Sequence, residues 1–316
     1  MFLVFIIIIR KGVYFLMRIG ISSYCLDRCM EEGKMTLFEV IDWAAKYGAE
    51  LVELVPFAFT LGDEKTKTID KEFVKKVAQH AKDAGVALAN YSVLADFCKE
   101  GEELRNEIDR IKFHVDIAAE VGVPKMRHDV TAFRRPLAQN TLTDFERWMP
   151  VLVEAATEIS EYAKEKGVYT LIENHGFFAN GCDRVEQILN RVHTDNYGLL
   201  LDTGNIICVD EDPVSAAVTL AKRAKMVHLK DFYIRHRDPG DTTQFDCGGH
   251  WFRSRAGKYL RGAILAQGDI DIYAIMKALK DADYQGDVAI EFEGLEDPEY
   301  ATGVSLANAR RIYQEV

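Results

Sequence analysis

The feature that most constrains this chain is an alternation. Short apolar runs, bounded by Gly or charged residues, recur along its length, with a helix-length segment between most pairs. Runs apolar on both parities suit strands buried on both faces of a parallel sheet, and parallel neighbours need a crossover about as long as a helix. Strand one is expected at 18–23. Thr36-Leu-Phe-Glu39 then has the spacing of a capping box and opens a helix through about residue 47. Strand two falls at 51–55, and the helix at 70–84 carries Phe73, Val74, Val77, Ala78 and Ala81 before Gly85 ends it. Strand three (86–93), a long helix (102–121) stopped by Gly122 and Pro124, and strand four (125–130) follow. A helix at 144–166, strand five at 169–173, a helix near 184–192 and strand six at 197–202 continue the rhythm. Strand seven is at 226–228, and the last units are a helix at 270–282, a strand at 288–291 and a closing helix.

Eight strands and eight helices in strict order predict a closed (β/α)8 TIM barrel, in which reactive side chains come from the C-terminal ends of strands. The alternative is an open doubly wound sheet, which would carry a phosphate-binding glycine loop after strand one. Ser22-Ser23-Tyr24-Cys25 stands there instead. No Ser/Gly/Pro-rich linker divides the 316 residues, so residues 17–316 are read as one barrel domain with a long insertion after strand seven. Residues 1–9 are almost wholly apolar, but Arg10 and Lys11 interrupt the run well short of the roughly 20 residues that span a bilayer. A secretory signal would place its positive charge before the apolar stretch. Residues 1–16 are therefore expected to be an extension outside the fold, with no membrane role.

A net charge of −11 disfavours nucleic acid as a partner, since phosphate neutralisation needs a basic surface. The six cysteines, Cys25, Cys29, Cys98, Cys182, Cys208 and Cys247, form no Cys-x-x-Cys pair and read as reduced thiols of a cytoplasmic protein.

Four of the strand runs end on Glu173, Asp202, His228 and Glu291. Carboxylates converging in a barrel mouth repel one another and resist ionisation without a cation. Three oxygen donors and one imidazole suit a single hard divalent ion, Mn²⁺ or Mg²⁺, with Co²⁺ or Zn²⁺ also compatible; a structural zinc would favour thiolates. His175, two residues after Glu173, is expected near the same rim as a substrate-binding or hydrogen-bonding residue. Lys230 stands in the same relation to His228 and reads as a ligand for a substrate oxygen or phosphate, or as the ion-pair partner of a carboxylate. Glu293 is expected to order a Lys or Arg. At the end of strand four, alternation leaves open whether Arg127 or His128 faces the barrel, and His128 is the candidate acid/base. Glu53 and Asn90 read as satisfied polar core; His80, His114 and His193 read as surface or packing residues.

With these residues assembled, the chain resembles the xylose isomerase-like superfamily of barrels, specifically its sugar phosphate isomerase/epimerase branch. The resemblance covers about residues 17–316 and rests on Ile172-Glu173-Asn174-His175, Leu201-Asp202-Thr203-Gly204-Asn205, Val227-His228-Leu229-Lys230-Asp231 and Ile290-Glu291-Phe292-Glu293-Gly294. It implies one Mn²⁺ or similar ion on Glu173, Asp202, His228 and Glu291. It also implies that Glu173 and Glu291 are the catalytic proton donor and acceptor on opposite faces of a ketose or keto-sugar, which reacts through a metal-stabilised enediolate. The three-zinc endonuclease branch would show a histidine three residues after the strand-six aspartate. Asn205 stands there, which disfavours DNA repair and leaves Asn205 as a substrate-binding candidate.

Two other functions share this pattern. A lyase would use the same enediolate to expel a neighbouring group, as in inosose dehydratase or the catalytic subunit of a C-glycoside deglycosidase acting on a 3-keto-glycoside, with His128 or His175 as the extra acid. A non-catalytic sugar-binding barrel is the third. The expected partners are a small sugar or glycoside and further copies of the chain, or a small companion subunit in the deglycosidase case.

Residues 232–268 lack clear periodicity, and connections this long are usually lids or binding loops. Between 235 and 261 six Lys/Arg side chains face three Asp, with Phe245, His250, Trp251 and Phe252 in the middle. This predicts a basic, aromatic lid over a sugar or its anionic substituent, with His250 and Arg253 as substrate contacts. A subunit contact is the alternative.

Overall fold

A computed structural model describes residues 17–243 and 249–316. The extension at 1–16 and the insertion residues Phe245, Cys247 and Gly248 lie outside the described residues. Eight strands, β1 (Arg18–Ser22), β2 (Leu51–Leu54), β3 (Ala87–Val93), β4 (Lys125–His128), β5 (Tyr169–Glu173), β6 (Tyr197–Asp202), β7 (Ala224–Leu229) and β8 (Asp287–Ile290), pair in that order, and β8 closes on β1. Every neighbouring pair in the barrel is parallel. Around it lie α1 (Leu37–Lys46), α2 (Lys71–Ala84), α3 (Gly101–Val121), α4 (Leu142–Glu165), α5 (Cys182–Arg191), α6 (Pro213–Leu220), α7 (Ile272–Asp281) and α8 (Pro298–Glu315).

Local chemistry sets the helix ends. The Thr36 hydroxyl accepts from the Glu39 N–H at 3.3 Å and the Glu39 carboxylate accepts from the Thr36 N–H at 2.7 Å, the reciprocal capping box read from the sequence. Gly85 and Gly122 stop α2 and α3 in left-handed conformations, at φ of 77° and 81°, where a side chain would be strained.

Two apolar layers result. Leu51, Ala89, Leu171, Leu200, Met226 and Ala289 fill the inside of the barrel, while the larger core lies between strands and helices. Adding two residues to five of the inner positions along their strands gives Glu53, Glu173, Asp202, His228 and Glu291. Period-two alternation thus places these polar groups directly above an apolar floor, at the C-terminal mouth.

The stretch after β7 departs from the aperiodic loop expected of it. Asp231–Arg235, Phe252–Arg253 and Tyr259–Ala263 form a three-stranded antiparallel sheet of their own. Its base is tied by the buried Asp231 carboxylate, which accepts from the N–H groups of Phe232, Gly268 and Ile270 at 2.8, 2.9 and 3.2 Å. The turn at 254–258 is held to the loop after β6. Asp210 accepts from the Ser254 hydroxyl at 2.8 Å and the Ala256 N–H at 2.6 Å, and the Arg255 N–H donates to the Cys208 carbonyl at 2.8 Å. The five described cysteines are all free thiols, and no described helix is long and apolar enough to cross a membrane.

Candidate metal and active site

β5, β6, β7 and the residue following β8 deliver Glu173, Asp202, His228 and Glu291 to one place. One donor atom from each lies within 4.8 Å of the other three. The Nδ1 atom of His228 stands 3.8 Å from Glu173 Oε1, from Asp202 Oδ2 and from Glu291 Oε2 alike. All but Glu291 are buried, and Glu291 is partly so. Asp202 Oδ2 and His228 Nδ1 make no hydrogen bond among the described residues, although both are out of water. Buried polar atoms without a hydrogen bond are costly, and His228 Nδ1 and Asp202 Oδ2, the latter with only the Lys230 ammonium at 3.3 Å, fit a cation ligated there at about 2.0–2.2 Å.

The surroundings orient these donors. His228 Nε2 lies 2.7 Å from Glu53 Oε2, so its Nε2–H donates to that carboxylate and the Nδ1 lone pair faces the other three. Glu53 is itself held by the Asn90 amide at 2.8 Å and the Ser92 hydroxyl at 2.5 Å. A β-bulge opposite Val52/Glu53 shifts the register of β3, and Asn90 and Ser92 both reach Glu53. Asp202 Oδ1 accepts from the N–H groups of Gly204 and Asn205, each at 2.7 Å, which leaves Oδ2 for the cluster. Asn205 donates its side-chain amide to Glu173 Oε1 at 2.9 Å.

Two cations complete the electrostatics. Arg127 on β4 is ion-paired to Glu173 Oε2 and lies 3.2 Å from Asp129 Oδ1. Lys230 Nζ lies 2.5 Å from Glu291 Oε2, 3.3 Å from Asp202 Oδ2 and 3.4 Å from Glu293 Oε2. Burial opposes the ionisation of Glu173, but Arg127 and His228 outweigh it and hold the carboxyl well below its ordinary range. Burial likewise disfavours charge on Lys230, yet Asp202, Glu291 and Glu293 keep the ammonium well above its usual value. His228 follows the same pattern, with Glu53 and Glu291 outweighing burial to raise it. The field that strengthens its hold on a proton is one that also favours a metal cation. Asp129, Glu173 and His175 form a second close trio, but the Arg127 guanidinium already occupies their midst.

The cluster floors a cavity open to solvent, with about 820 Å³ of non-atom space once the solvent at its mouth is included. Its walls include His175, Asn205, Lys230 and Glu293 from the predicted set, with Arg127, Tyr24, Phe57, Phe133, Phe177 and Phe252. His175 Nδ1 lies 3.0 Å from Asp129 Oδ2, and its ring stacks on Phe133 at 4.9 Å.

Three predicted residues are not brought to the cavity. His128 points outward from the barrel. Its ring packs against Phe97 and Tyr197 at 5.7 and 6.1 Å, its Nδ1–H donates to the Asp129 carbonyl at 2.9 Å, and burial pushes its pKa down to about 4. The register decides this: Arg127 pairs with Leu171, an inner-core position, so Arg127 faces in and His128 cannot. His250 is exposed and lies 3.0 Å from both Asp241 oxygens. Arg253 donates to the Tyr259 hydroxyl at 2.6 Å and lies over that ring. The guanidinium of Arg261 sits 4.8 Å from the Trp251 ring, and that of Arg235 5.8 Å from it. The insertion therefore presents Phe252 to the cavity, while these guanidiniums pack on its own aromatic rings.

Arg127 and Glu53 are the site residues whose roles the sequence did not assign: it left open whether Arg127 or His128 faces the barrel, and it read Glu53 as satisfied polar core. Glu53 carried one usable signal, a lone carboxylate on an apolar strand whose partner had to lie inside the barrel. Replacing Glu53 by Gln keeps its volume and removes the charge behind His228. Metal affinity is expected to fall about 10- to 100-fold in a Mn²⁺ titration. An unchanged affinity would reduce Glu53 to packing.

A family model described as a xylose isomerase-like TIM barrel matches residues 41–312. Among curated proteins, the chain is 27% identical over 169 residues to an inosose dehydratase of Clostridium perfringens, covering 53% of this chain and 54% of that protein. The chain thus spans about half the length of the curated relatives it matches. Among solved structures, an L-ribulose 3-epimerase superposes with a TM-score of 0.69 at 16% identity, covering 95% of each chain. A 3-keto-D-glucoside 4-epimerase from E. coli superposes with a TM-score of 0.66 at 15% identity, covering 93% of this chain and 99% of that one. At such identities these structures speak to the fold alone.

Proposed function

We propose, since this chain belongs to the xylose isomerase-like TIM-barrel family, that it is a divalent-metal-dependent isomerase or epimerase of a ketose or keto-sugar. The observation that carries this reading is the convergence of Glu173, Asp202, His228 and Glu291, with two buried donor atoms that make no hydrogen bond among the described residues. Those four residues would hold the ion, and their hard donors favour Mn²⁺. When bound, the ion supplies Lewis acidity that makes the carbon between a keto and a hydroxyl oxygen acidic near neutral pH.

The chain's own groups do the rest. Arg127 keeps Glu173 ionised and so ready to accept a proton, while Lys230 holds Glu291 through Oε2. Glu173 and Glu291 come from non-adjacent strands, so a substrate lying between them meets one carboxylate on each face. A proton removed by one and returned by the other inverts the centre; a proton returned to the neighbouring carbon isomerises the sugar. Lys230 and Asn205 stand where they can bind a substrate oxygen, and the apolar walls limit water.

A second reading is a lyase, favoured by one observation besides the inosose dehydratase relative. Burial disfavours a charged His175, but Asp129 more than offsets this and raises its pKa, as suits an acid that protonates a leaving group. A panel of keto-sugars in D₂O with Mn²⁺ separates the readings. Deuterium uptake with a new ketose or epimer supports the first, loss of water with enone absorbance supports the second, and no exchange with any substrate defeats both.

A further inference from the structure

His228 lies inside the barrel ladder, in register with Asp202 on one side and Ala289 on the other. Asp202 and Glu291 lack that support on one flank. β6 outruns β5: their last paired residues are Glu173 and Leu200, yet β6 continues to Asp202. The last pair between β1 and β8 is Ile21 with Ile290, and Glu291 follows the end of β8. On the β7 side both are held, Asp202 by its register with His228 and Glu291 by its N–H, which donates to the Leu229 carbonyl at 3.1 Å.

Buried main-chain groups beyond the end of a ladder still need partners, and here side chains supply them. Asn174, buried at the residue after β5, lays its carboxamide along the main chain of Asp202. Its Nδ2–H donates to the Asp202 carbonyl and its Oδ1 accepts from the Asp202 N–H, each at 2.8 Å. A planar amide using one donor and one acceptor offers what a longer β5 would have offered. On the other open flank, the chain after β1 has already turned into the short helix Ser23–Leu26. Cys25 in that helix brackets Glu291: its thiol donates to the Ile290 carbonyl at 3.1 Å and accepts from the Phe292 N–H at 3.2 Å. Successive residues of an extended chain send their main-chain groups to opposite flanks, so Glu291 bonds toward β7 while its two neighbours bond to Cys25.

We infer that Asn174 and Cys25 are positioning residues for the cation site: each replaces main-chain hydrogen bonds that the ladder no longer supplies, and together they fix Asp202 and Glu291 for a small hard ion. This rests on the reading of Glu173, Asp202, His228 and Glu291 as ligands of one cation. Groups that orient ligands govern affinity almost as the ligands do. They govern selectivity too, because a small ion demands near-ideal placement, about 2.0–2.1 Å for Mg²⁺, whereas Ca²⁺ tolerates a looser shell at about 2.3–2.6 Å.

Mn²⁺ and Ca²⁺ dissociation constants are measured by calorimetry on the full chain, well below the thermal midpoint, where a loss of stability alone leaves them unchanged. Asn174→Leu keeps a branched side chain of similar size without donor or acceptor. Asn174→Ser, too short to span both groups, serves if the Leu variant does not fold. Cys25→Ala removes the second bracket, and Cys25→Ser restores a donor and an acceptor. Mn²⁺ affinity is expected to fall about 10- to 100-fold in the Asn174 variants and in Cys25→Ala. Ca²⁺ affinity falls less, and Cys25→Ser stays near wild type. Variants that melt earlier yet keep both wild-type affinities, or that lose both ions equally, overturn the positioning role and leave the cation site standing. A wild-type chain that binds neither ion defeats the cation site and the positioning role with it.

Discussion

Glu173→Gln is expected to cut solvent-deuterium uptake into a keto-sugar substrate by about a hundred- to ten-thousandfold, the usual range for loss of a positioned acid/base. The substitution keeps a carbonyl oxygen for the Asn205 amide, now 2.9 Å from Oε1. It removes the charge facing Arg127, yet that guanidinium keeps Asp129 at 3.2 Å and is not left unpaired. The expected stability cost is therefore modest, about 1–3 kcal/mol by urea denaturation. Exchange at the wild-type rate in a folded Glu173→Gln protein would remove Glu173 from the proton-transfer machinery. Glu291→Gln provides the reciprocal test, with Lys230 losing its nearest carboxylate, at 2.5 Å, while Asp202 and Glu293 remain at 3.3 and 3.4 Å.

The second large effect is on stability. Mn²⁺ at a hundredfold excess over its dissociation constant adds about 2.7 kcal/mol to a protein that binds it only when folded, which for a domain of this size raises the thermal midpoint by about 5 °C. Asp202→Asn isolates the cause. Its remaining carbonyl can still accept from the Gly204 and Asn205 N–H groups, each at 2.7 Å, while the oxygen aimed into the cluster becomes an amide. The midpoint of Asp202→Asn is expected not to respond to Mn²⁺ or EDTA. A wild-type protein equally indifferent to both would count against a resident cation.

Both experiments concern residues that local sequence pattern is enough to single out. Glu173, Asp202, His228 and Glu291 end apolar strands in the chain itself, and a closed parallel barrel gathers strand ends at one mouth. The capping box at Thr36 and the glycine stops at Gly85 and Gly122 are equally local signals, and α1, α2 and α3 begin or end on them. His128 is not decidable in this way. Neighbouring residues on a strand face opposite sides, and only the pairing of Arg127 with Leu171 selects Arg127 for the interior. The insertion misleads for a related reason. Its excess of Arg and Lys is plain in the sequence, but Arg253 and Arg261 lie over the Tyr259 and Trp251 rings rather than lining the cavity.

The amino-acid sequence alone determined the order of strands and helices, the barrel and the four clustered carboxylate and imidazole side chains, because hydrophobic period, capping and strand alternation are set by neighbours a few residues apart. The tertiary structure alone decided that Arg127 clamps Glu173, that Glu53 backs His228 from a strand 175 residues away, and that Phe252 is presented to the cavity by the insertion. Those outcomes depend on register between strands and on which surface a side chain finds to pack against. Neither quantity exists until distant segments meet.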